Sequence, residues 1–389
     1  RDPSGGFFPY PDLAWCRGNV GGVAGFPWQS GVRGLLADEE ARSNASVYEL
    51  HVGTFTPGGT FGAAAARAGH VAGCGFGVVQ VMPVAEFGGS WGYGPRQMCA
   101  PAVAYGAPEE LCAMVDAFRS KGVAVVLDIV LNHAAPKGNT LWDFEGPTGG
   151  GGVYFDRGGD ETPWGRRYAF GREEVVVYLE EAAVRWVRDF RLDGLRFDSV
   201  HNQPDKFTAR VLARLRREFP DRWFSGELVP EDLPRMRGLR LHSQWLHWPH
   251  FRLQDIHRFG ARDKILGLFK DLLAVPCDAP SEFVNALLGS HDQVGSRTGP
   301  HPDAEGRLHV RMVDRLGGRD LWHARAQVRM YFCFNLLAAR AIPLTFMGDE
   351  LLQPGWWHID QAGVRWDLTG YNKNSNDADG GGGGGGGGG

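Results

Sequence analysis

Four runs of apolar residues in this chain end in side chains able to do acid–base or nucleophilic chemistry. Asp193-Gly194-Leu195-Arg196-Phe197-Asp198 closes on Asp198, Trp223-Phe224-Ser225-Gly226-Glu227-Leu228 carries Glu227, and Leu288-Gly289-Ser290-His291-Asp292 closes on Asp292. A fourth run carries Asp128 and continues through Asn132-His133. In a parallel β/α barrel the C-terminal ends of all strands open on one face, so carboxylates far apart in sequence can converge there. Two carboxylates flanking a bond are what hydrolysis or transfer of a glycoside needs. Arg196 and Asp198 alternate on one strand and face the same side, and the cation is expected to keep Asp198 ionised as a nucleophile. Glu227 has apolar sequence neighbours, which are expected to raise its pKa and suit it to general acid work. Asp292, beside His291, is expected to steady the positive charge of an oxocarbenium-like transition state. Any one of these acids alone is better explained as a surface or strand-end residue in an ion pair. Four strands ending in such clusters are not.

His133, His201 and His291 all fall just past strand ends. Singly, each reads as a satisfied structural histidine. Histidine and aspartate also bind zinc, but no His-x-x-x-His or Cys/His spacing supports a metal, and neutral imidazoles bonding sugar hydroxyls fit the pattern better. Trp91, Tyr93, Trp142, Trp164, Trp356 and Trp357 crowd the same ends. Flat rings stack on the apolar faces of pyranoses, although each tryptophan alone is more often a packing residue.

The elements that must position these groups alternate. Strands are expected over 47–55, 76–84, 123–131, 192–200, 223–228, 283–292 and 342–348, with a weaker one near 241–247. The run Val123 to Leu131 is apolar except for Asp128, as a strand buried on both faces should be. Helices are expected over 107–121, with Pro108 in the first turn and Gly122 closing it, then along the stripe Val175, Leu179, Ala182, Trp186 and Phe190, over about 204–218, and near 321–340. Alternating helices and apolar strands imply a parallel sheet, and eight strands close into a (β/α)8 TIM barrel, an α/β fold. The expected organisation is an N-terminal connector or remnant module at 1–45 and a barrel at 46–370. The barrel has a Gly-rich, aromatic insertion at 134–171 after its third strand, and a disordered tail at 371–389 ends in ten consecutive glycines.

Composition sets the bounds. The 389 residues are 43% hydrophobic with a net charge of −4, enough for a large core and without the basic footprint of a nucleic-acid partner. No apolar run reaches the roughly 18 residues of a membrane span. The six cysteines form no Cys-x-x-Cys pair and read as reduced thiols. The chain opens Arg1-Asp2-Pro3 without an initiator Met, so its true start is expected upstream and no targeting signal is read; a soluble cytoplasmic or plastid protein is the expectation.

Taken in order, Asp128-Ile129-Val130-Leu131-Asn132-His133, Gly194-Leu195-Arg196-Phe197-Asp198, Gly226-Glu227 and His291-Asp292 resemble the four short motifs of glycoside hydrolase family 13, the α-amylase superfamily. The resemblance covers about residues 45–370. It implies Asp198 as nucleophile, Glu227 as acid/base and Asp292 as transition-state stabiliser. It further implies that His133 and His291 bind hydroxyls of the cleaved sugar, that Tyr93 stacks on that sugar and that Arg196 orients Asp198. Asp128 would support the site, and His201 would touch the sugar beyond the cleavage point. Within the family, Tyr48-Glu49-Leu50-His51-Val52-Gly53-Thr54-Phe55 and Met82-Pro83-Val84-Ala85-Glu86-Phe87 resemble both 1,4-α-glucan branching enzymes and maltooligosyltrehalose trehalohydrolases.

Trp91-Gly92-Tyr93-Gly94-Pro95 and Trp356-Trp357-His358 point to branching, with Trp356 and Trp357 as platforms for an acceptor glucan chain. Gln293 departs towards the trehalohydrolases, which commonly carry Gln there, and Leu228 after Glu227 is atypical. The expected activity is therefore branching of an α-glucan such as starch, glycogen or a maltooligosaccharide. Hydrolysis on the same machinery is the alternative, and a non-catalytic glucan-binding barrel a third reading. No cofactor is required: Asn132 matches a calcium-ligand position of α-amylases, but the short insertion offers few acids to complete an oxygen cage. The family's usual C-terminal β-sandwich is not read after the barrel, so the chain is expected to be a fragment or a mis-predicted gene product.

Overall fold

The computed structural model describes residues 25–370 apart from 90, 140, 145–150, 157–160, 297–301, 304–305 and 360–362. Residues 1–24 and the expected tail at 371–389 lie outside the described residues.

Eight parallel strands close into a barrel: β1 Val47–Leu50, β2 Val78–Val81, β3 Ala124–Ile129, β4 Gly194–Phe197, β5 Trp223–Gly226, β6 Ser243–Leu246, β7 Phe283–Asn285 and β8 Ile342–Phe346. Each pairs with its neighbour in sequence, and β8 returns to β1. Period-two alternation explains how the strands partition their side chains. Val47, Val78, Ala124, Val126, Trp223, Trp245, Val284, Ile342 and Leu344 turn inward and form one buried cluster inside the barrel. Tyr48, Val79, Val125, Leu127, Leu195 and Phe224 turn outward into the larger core under the helices. Those helices include Pro108–Arg119, Glu173–Asp189, Asp205–Glu218 and Trp322–Leu337. Asp205–Glu218 buries Phe207, Val211, Leu212 and Leu215 on one face and leaves its arginines outside.

Higher along the same inward rows the side chains become polar: Glu49 and Gln80 lie in register, and Asp128 is paired with Arg196. The lumen is thus apolar near the strand starts and charged near the strand ends. Gly194 permits the close approach of β4 to β5, since a Cβ there would sit 1.9 Å from the Trp223 carbonyl oxygen.

Three expectations need correction. Residues 47–55 are not one strand: β1 stops at Leu50 and a helical turn, Val52–Phe55, follows. The seventh strand stops at Asn285, so Asp292 lies beyond it, in the short helix His291–Val294. The segment 134–171 is not wholly irregular, because Gly165–Arg167 pairs antiparallel with both His133–Ala134 and Glu161–Thr162. At the opposite end of the barrel, residues 26–36 run beneath the strand starts. Leu36 joins the lumen cluster, and Gln29 and Ser30 donate backbone N–H bonds to Asp116.

Candidate active site

The charged mouth of the barrel is organised by one arginine. Arg196 is fully buried, and one terminal nitrogen donates to both Asp128 oxygens at 3.0 and 2.8 Å and to Asp198 Oδ1 at 2.9 Å. The other donates to Glu227 Oε2 at 2.8 Å. Its guanidinium carbon lies 4.4 Å from the centre of the Trp245 ring, so an aromatic face shields it from beneath. Asn132 donates to Asp198 Oδ2 at 2.9 Å, and the Ser199 backbone N–H donates to Glu227 Oε2 at 3.1 Å. The Asp198 and Glu227 side chains are 13% and 14% exposed, each presenting a small face to solvent.

Three carboxylates around one guanidinium leave an excess of negative charge. Burial raises Asp198 to about 7; Arg196 opposes this, while Glu227 and Asp128 add to the rise. Burial likewise raises Asp128 to about 6 against the pull of Arg196. The sequence expectation that Arg196 would dominate and hold Asp198 low is therefore wrong: the cation is shared, and burial outweighs its share. Glu227 is not in an apolar pocket either, since Arg196 and the Ser199 N–H both bond it.

Asp292 completes the group from a different direction. It is 45% exposed, and its Oδ1 lies 3.2 Å from His291 Nε2. Partial withdrawal from water works against its ionisation, but the charge of His291 and the hydrogen bond to it prevail and hold Asp292 below the usual carboxylate range. His291 in turn bonds Glu49 through Nδ1 at 2.8 Å. Burial alone would lower His291; Asp292 and Glu49 outweigh it and keep the ring protonated well above the usual histidine range. The expectation of a neutral imidazole thus fails for His291. It suits His133, which burial lowers to about 4 and whose Nε2 meets the Tyr93 carbonyl oxygen at 2.8 Å.

A cleft of about 850 Å³ opens over these groups, and Tyr93, His133, His201, His291, Asp198, Glu227 and Asp292 all line it. The Tyr93 ring stacks on His291 at 4.9 Å, and its hydroxyl donates to Asp128 Oδ2 at 2.8 Å. His201 is half-buried, with Nδ1 accepting from the Val229 N–H at 3.3 Å. Trp164, 53% exposed, stands at the edge of the cleft. Neither Trp356 nor Trp357 is among the described residues that line it. Trp357 is 3% exposed, packs on Trp91 at 4.8 Å and donates its indole N–H to Thr54 at 2.9 Å. Its expected role as an acceptor platform gives way to packing. Arg196 likewise meets carboxylates and not the cleft.

Two further groups escaped the sequence reading. His247, after β6, places Nε2 3.7 Å from Glu227 Oε1 and Nδ1 3.8 Å from Glu231 Oε1. Burial works to raise Glu231, but bonds from His247 bring it down to about 2. Glu49 sat in a quoted motif without a role; a carboxylate in the otherwise apolar run Val47-Tyr48-Glu49-Leu50 was the available signal. Among the described residues no group of three or more His, Cys, Asp or Glu side chains is arranged to hold a metal ion. No described helix is long and apolar enough to cross a membrane.

The fold and this cluster define a (β/α)8 barrel with an arginine-centred acidic cleft at its strand ends. Among known proteins, the chain is 39% identical to malto-oligosyltrehalose trehalohydrolase of Arthrobacter ramosus over 353 residues, which is 79% of this chain and 57% of that enzyme. It is 27% identical to the 1,4-alpha-glucan branching enzyme GlgB of Kitasatospora aureofaciens, over 91% of this chain and 50% of that one. Among solved structures, a putative alpha amylase from Salmonella typhimurium superposes with a TM-score of 0.66 at 30% identity, covering 85% of this chain and 59% of its own. No family model matches the chain. The chain is thus similar, in sequence and in fold, to enzymes of the α-amylase superfamily, glycoside hydrolase family 13. It spans little more than half the length of the curated relatives it matches.

Proposed function

We propose that this barrel cleaves α-glucosidic links with retention of configuration, and that water is its main acceptor, as in a malto-oligosyltrehalose trehalohydrolase. The observation that carries the reading is the bridging of Asp198 and Glu227 by the two terminal nitrogens of Arg196. One guanidinium bonded to both carboxylates keeps them close. Retaining sites hold the pair about 5–5.5 Å apart, whereas inverting ones need about 6.5–9.5 Å to admit a water. Asp198 attacks the anomeric carbon while Glu227 gives its proton to the departing glycosidic oxygen. Glu227, now a carboxylate, then takes a proton from water as it displaces Asp198 from the glucosyl carbon. Asp292 faces the positive charge that develops on the sugar ring. His133 and Tyr93 contact the sugar being cleaved, and His201 the sugar beyond.

Hydrolysis is favoured over branching by the 39% identity to a trehalohydrolase against 27% to a branching enzyme. Gln293 and the burial of Trp357 agree with it. The substrate is an α-glucan; a pullulanase of the same fold, 18% identical, is described in complex with maltohexaose and alpha-cyclodextrin. The test is to incubate the chain with malto-oligosyltrehalose and, separately, with amylose. Trehalose release is the expected result. A shifted iodine spectrum of amylose without new reducing ends would replace this reading with branching. Binding without turnover would leave only a glucan-binding barrel.

A further inference from the structure

One buried carboxylate of the lumen is not used by the double displacement. Glu49, on β1, is fully buried. It accepts from the His291 backbone N–H at 3.0 Å and meets His291 Nδ1 at 2.8 Å. It therefore grips both the backbone and the ring of one residue that is 242 positions distant in sequence. With Nδ1 committed to Glu49, the other ring nitrogen faces Asp292 at 3.2 Å. The stacked Tyr93 ring, inclined at 18°, fixes the imidazole plane from one side.

We propose that Glu49 is a positioning residue that keeps His291 doubly protonated, so that Asp292 stays ionised and aimed into the cleft. The inference rests on the reading of Asp292 as the carboxylate that steadies the reacting sugar. Asp292 belongs to a four-residue helix outside the barrel wall and is the most exposed member of the trio. Among the described residues no arginine forms an ion pair with it, whereas Arg196 holds Asp198 and Glu227. An imidazolium anchored to the barrel wall supplies what the short helix lacks. Bidentate contact with both donors of His291 also sets the direction of its ring, as a second carboxylate often does for a functional histidine.

The charged and titratable groups around His291 support this. Asp292 and Glu49 favour its charge, and His291 in turn acts on Asp128 from β3. His51, in the turn after β1, is the opposing group. Burial, with the charge of His291, lowers His51 to about 3, so it stays neutral. Its ring nitrogens meet Thr54 Oγ1 and the Tyr105 hydroxyl at 3.0 and 2.9 Å.

The experiment is a pH titration of the histidine ring nitrogens by 15N NMR, with the His291 signals identified from a His291→Gln sample. Wild type, Glu49→Gln and Glu49→Asp are compared, and kcat and KM are measured on the same samples. In wild type the His291 ring should stay doubly protonated at neutral pH. In Glu49→Gln it should titrate about 1–3 pH units lower, the range that loss of one adjacent opposite charge produces. The kcat of that variant should fall along the same titration, with KM changing less, and Glu49→Asp should restore much of both. A neutral His291 in wild type at pH 7.5 would overturn the proposal. So would an unmoved titration in Glu49→Gln, or an equal loss of kcat at every pH. If Glu49→Gln fails to fold, the wild-type and Glu49→Asp titrations still decide. If the wild-type chain cleaves neither malto-oligosyltrehalose nor amylose, the functional reading fails, while the NMR arm separately settles the charge on His291.

Discussion

The two ends of β4 carry the same pair of residue types and use them in opposite ways. At its start, Asp193 accepts bonds from Arg119 and from the backbone N–H groups of Val125 and Leu35, each of the latter at 2.9 Å. Arg119 donates onward to the carbonyls of Gly31 and Arg33. One cation meets one anion there, and their remaining bonds fix the strap of residues 26–36 under the barrel. Just past the strand's other end, Asp198 shares Arg196 with two more carboxylates. A balanced pair holds structure together. An excess of acids over bases stores repulsion, retains a proton near neutrality and leaves a carboxylate ready to bond a substrate. The ratio of charges, more than their presence or burial, separates the functional end of this barrel from the structural one.

The largest effect that would test this contrast is on turnover. Asp198→Asn should lower kcat by at least about 10⁴-fold, because the amide cannot form the glucosyl ester. It should at the same time raise stability at neutral pH by about 0.5–2 kcal/mol, as relief of a strained active site does. Thermal melts beside single-turnover kinetics measure both, and a variant that is less stable than wild type would contradict the stored repulsion. Next in size, Asp193→Ala should cost about 3–5 kcal/mol of stability, because Arg119 is left buried without its partner. Denaturant titration reports the loss. The shape of the pH–rate profile should not change, and if it does the two ends are not independent.

The pH dependence of stability comes third. The pKa of Asp198 is raised in the folded state, so its contribution is full below the unfolded value of a free aspartate. It is then lost as pH climbs towards about 7. Wild type should therefore lose stability between about pH 4 and 7 relative to Asp198→Asn, and melts of the two proteins across that window should converge on the acid side. Because Asp198 must be ionised to attack the sugar, activity should rise as pH climbs towards about 7. The smallest effect is expected at the rim. Trp164→Ala should raise KM about 2- to 10-fold with kcat retained, the size of one aromatic contact. A fall in kcat with unchanged KM would place Trp164 nearer the chemistry than the cleft edge suggests.

Much of the barrel is legible in the sequence because its strands are short apolar runs with few competing patterns. β3 is the clearest case, since Asp128 is its one polar member. β6 is faint because Ser243 and Gln244 interrupt its apolar run, although both are buried. The break after Leu50 could not be read, because Val52, Thr54 and Phe55 are buried in a helical turn as thoroughly as they would be in a strand. Among the site residues, Asp198, Glu227, His133 and Asp292 stand in recognisable motifs. His247 does not, and Glu49 stands in such a run without a visible role, because the significance of both lies in contacts across the lumen or between adjacent loops. The charge on His291 and the raised pKa of Asp198 were misjudged for one reason: each depends on how many neighbours share a single partner, which no local spacing reveals.

The register between β4 and β5 has a further meaning. Phe197 pairs with Gly226, and the Glu227 N–H closes the ladder on the Phe197 carbonyl at 3.0 Å. Asp198 and Glu227 are thus the first residues beyond the same rung. A slip of one residue would displace one of them by about 3.3 Å along the strand. That step is comparable with the difference between a gap that excludes a water molecule and one that admits it. Under the proposed double displacement, the anomeric configuration of the product therefore depends on the backbone pairing of two strands as well as on the carboxylates themselves.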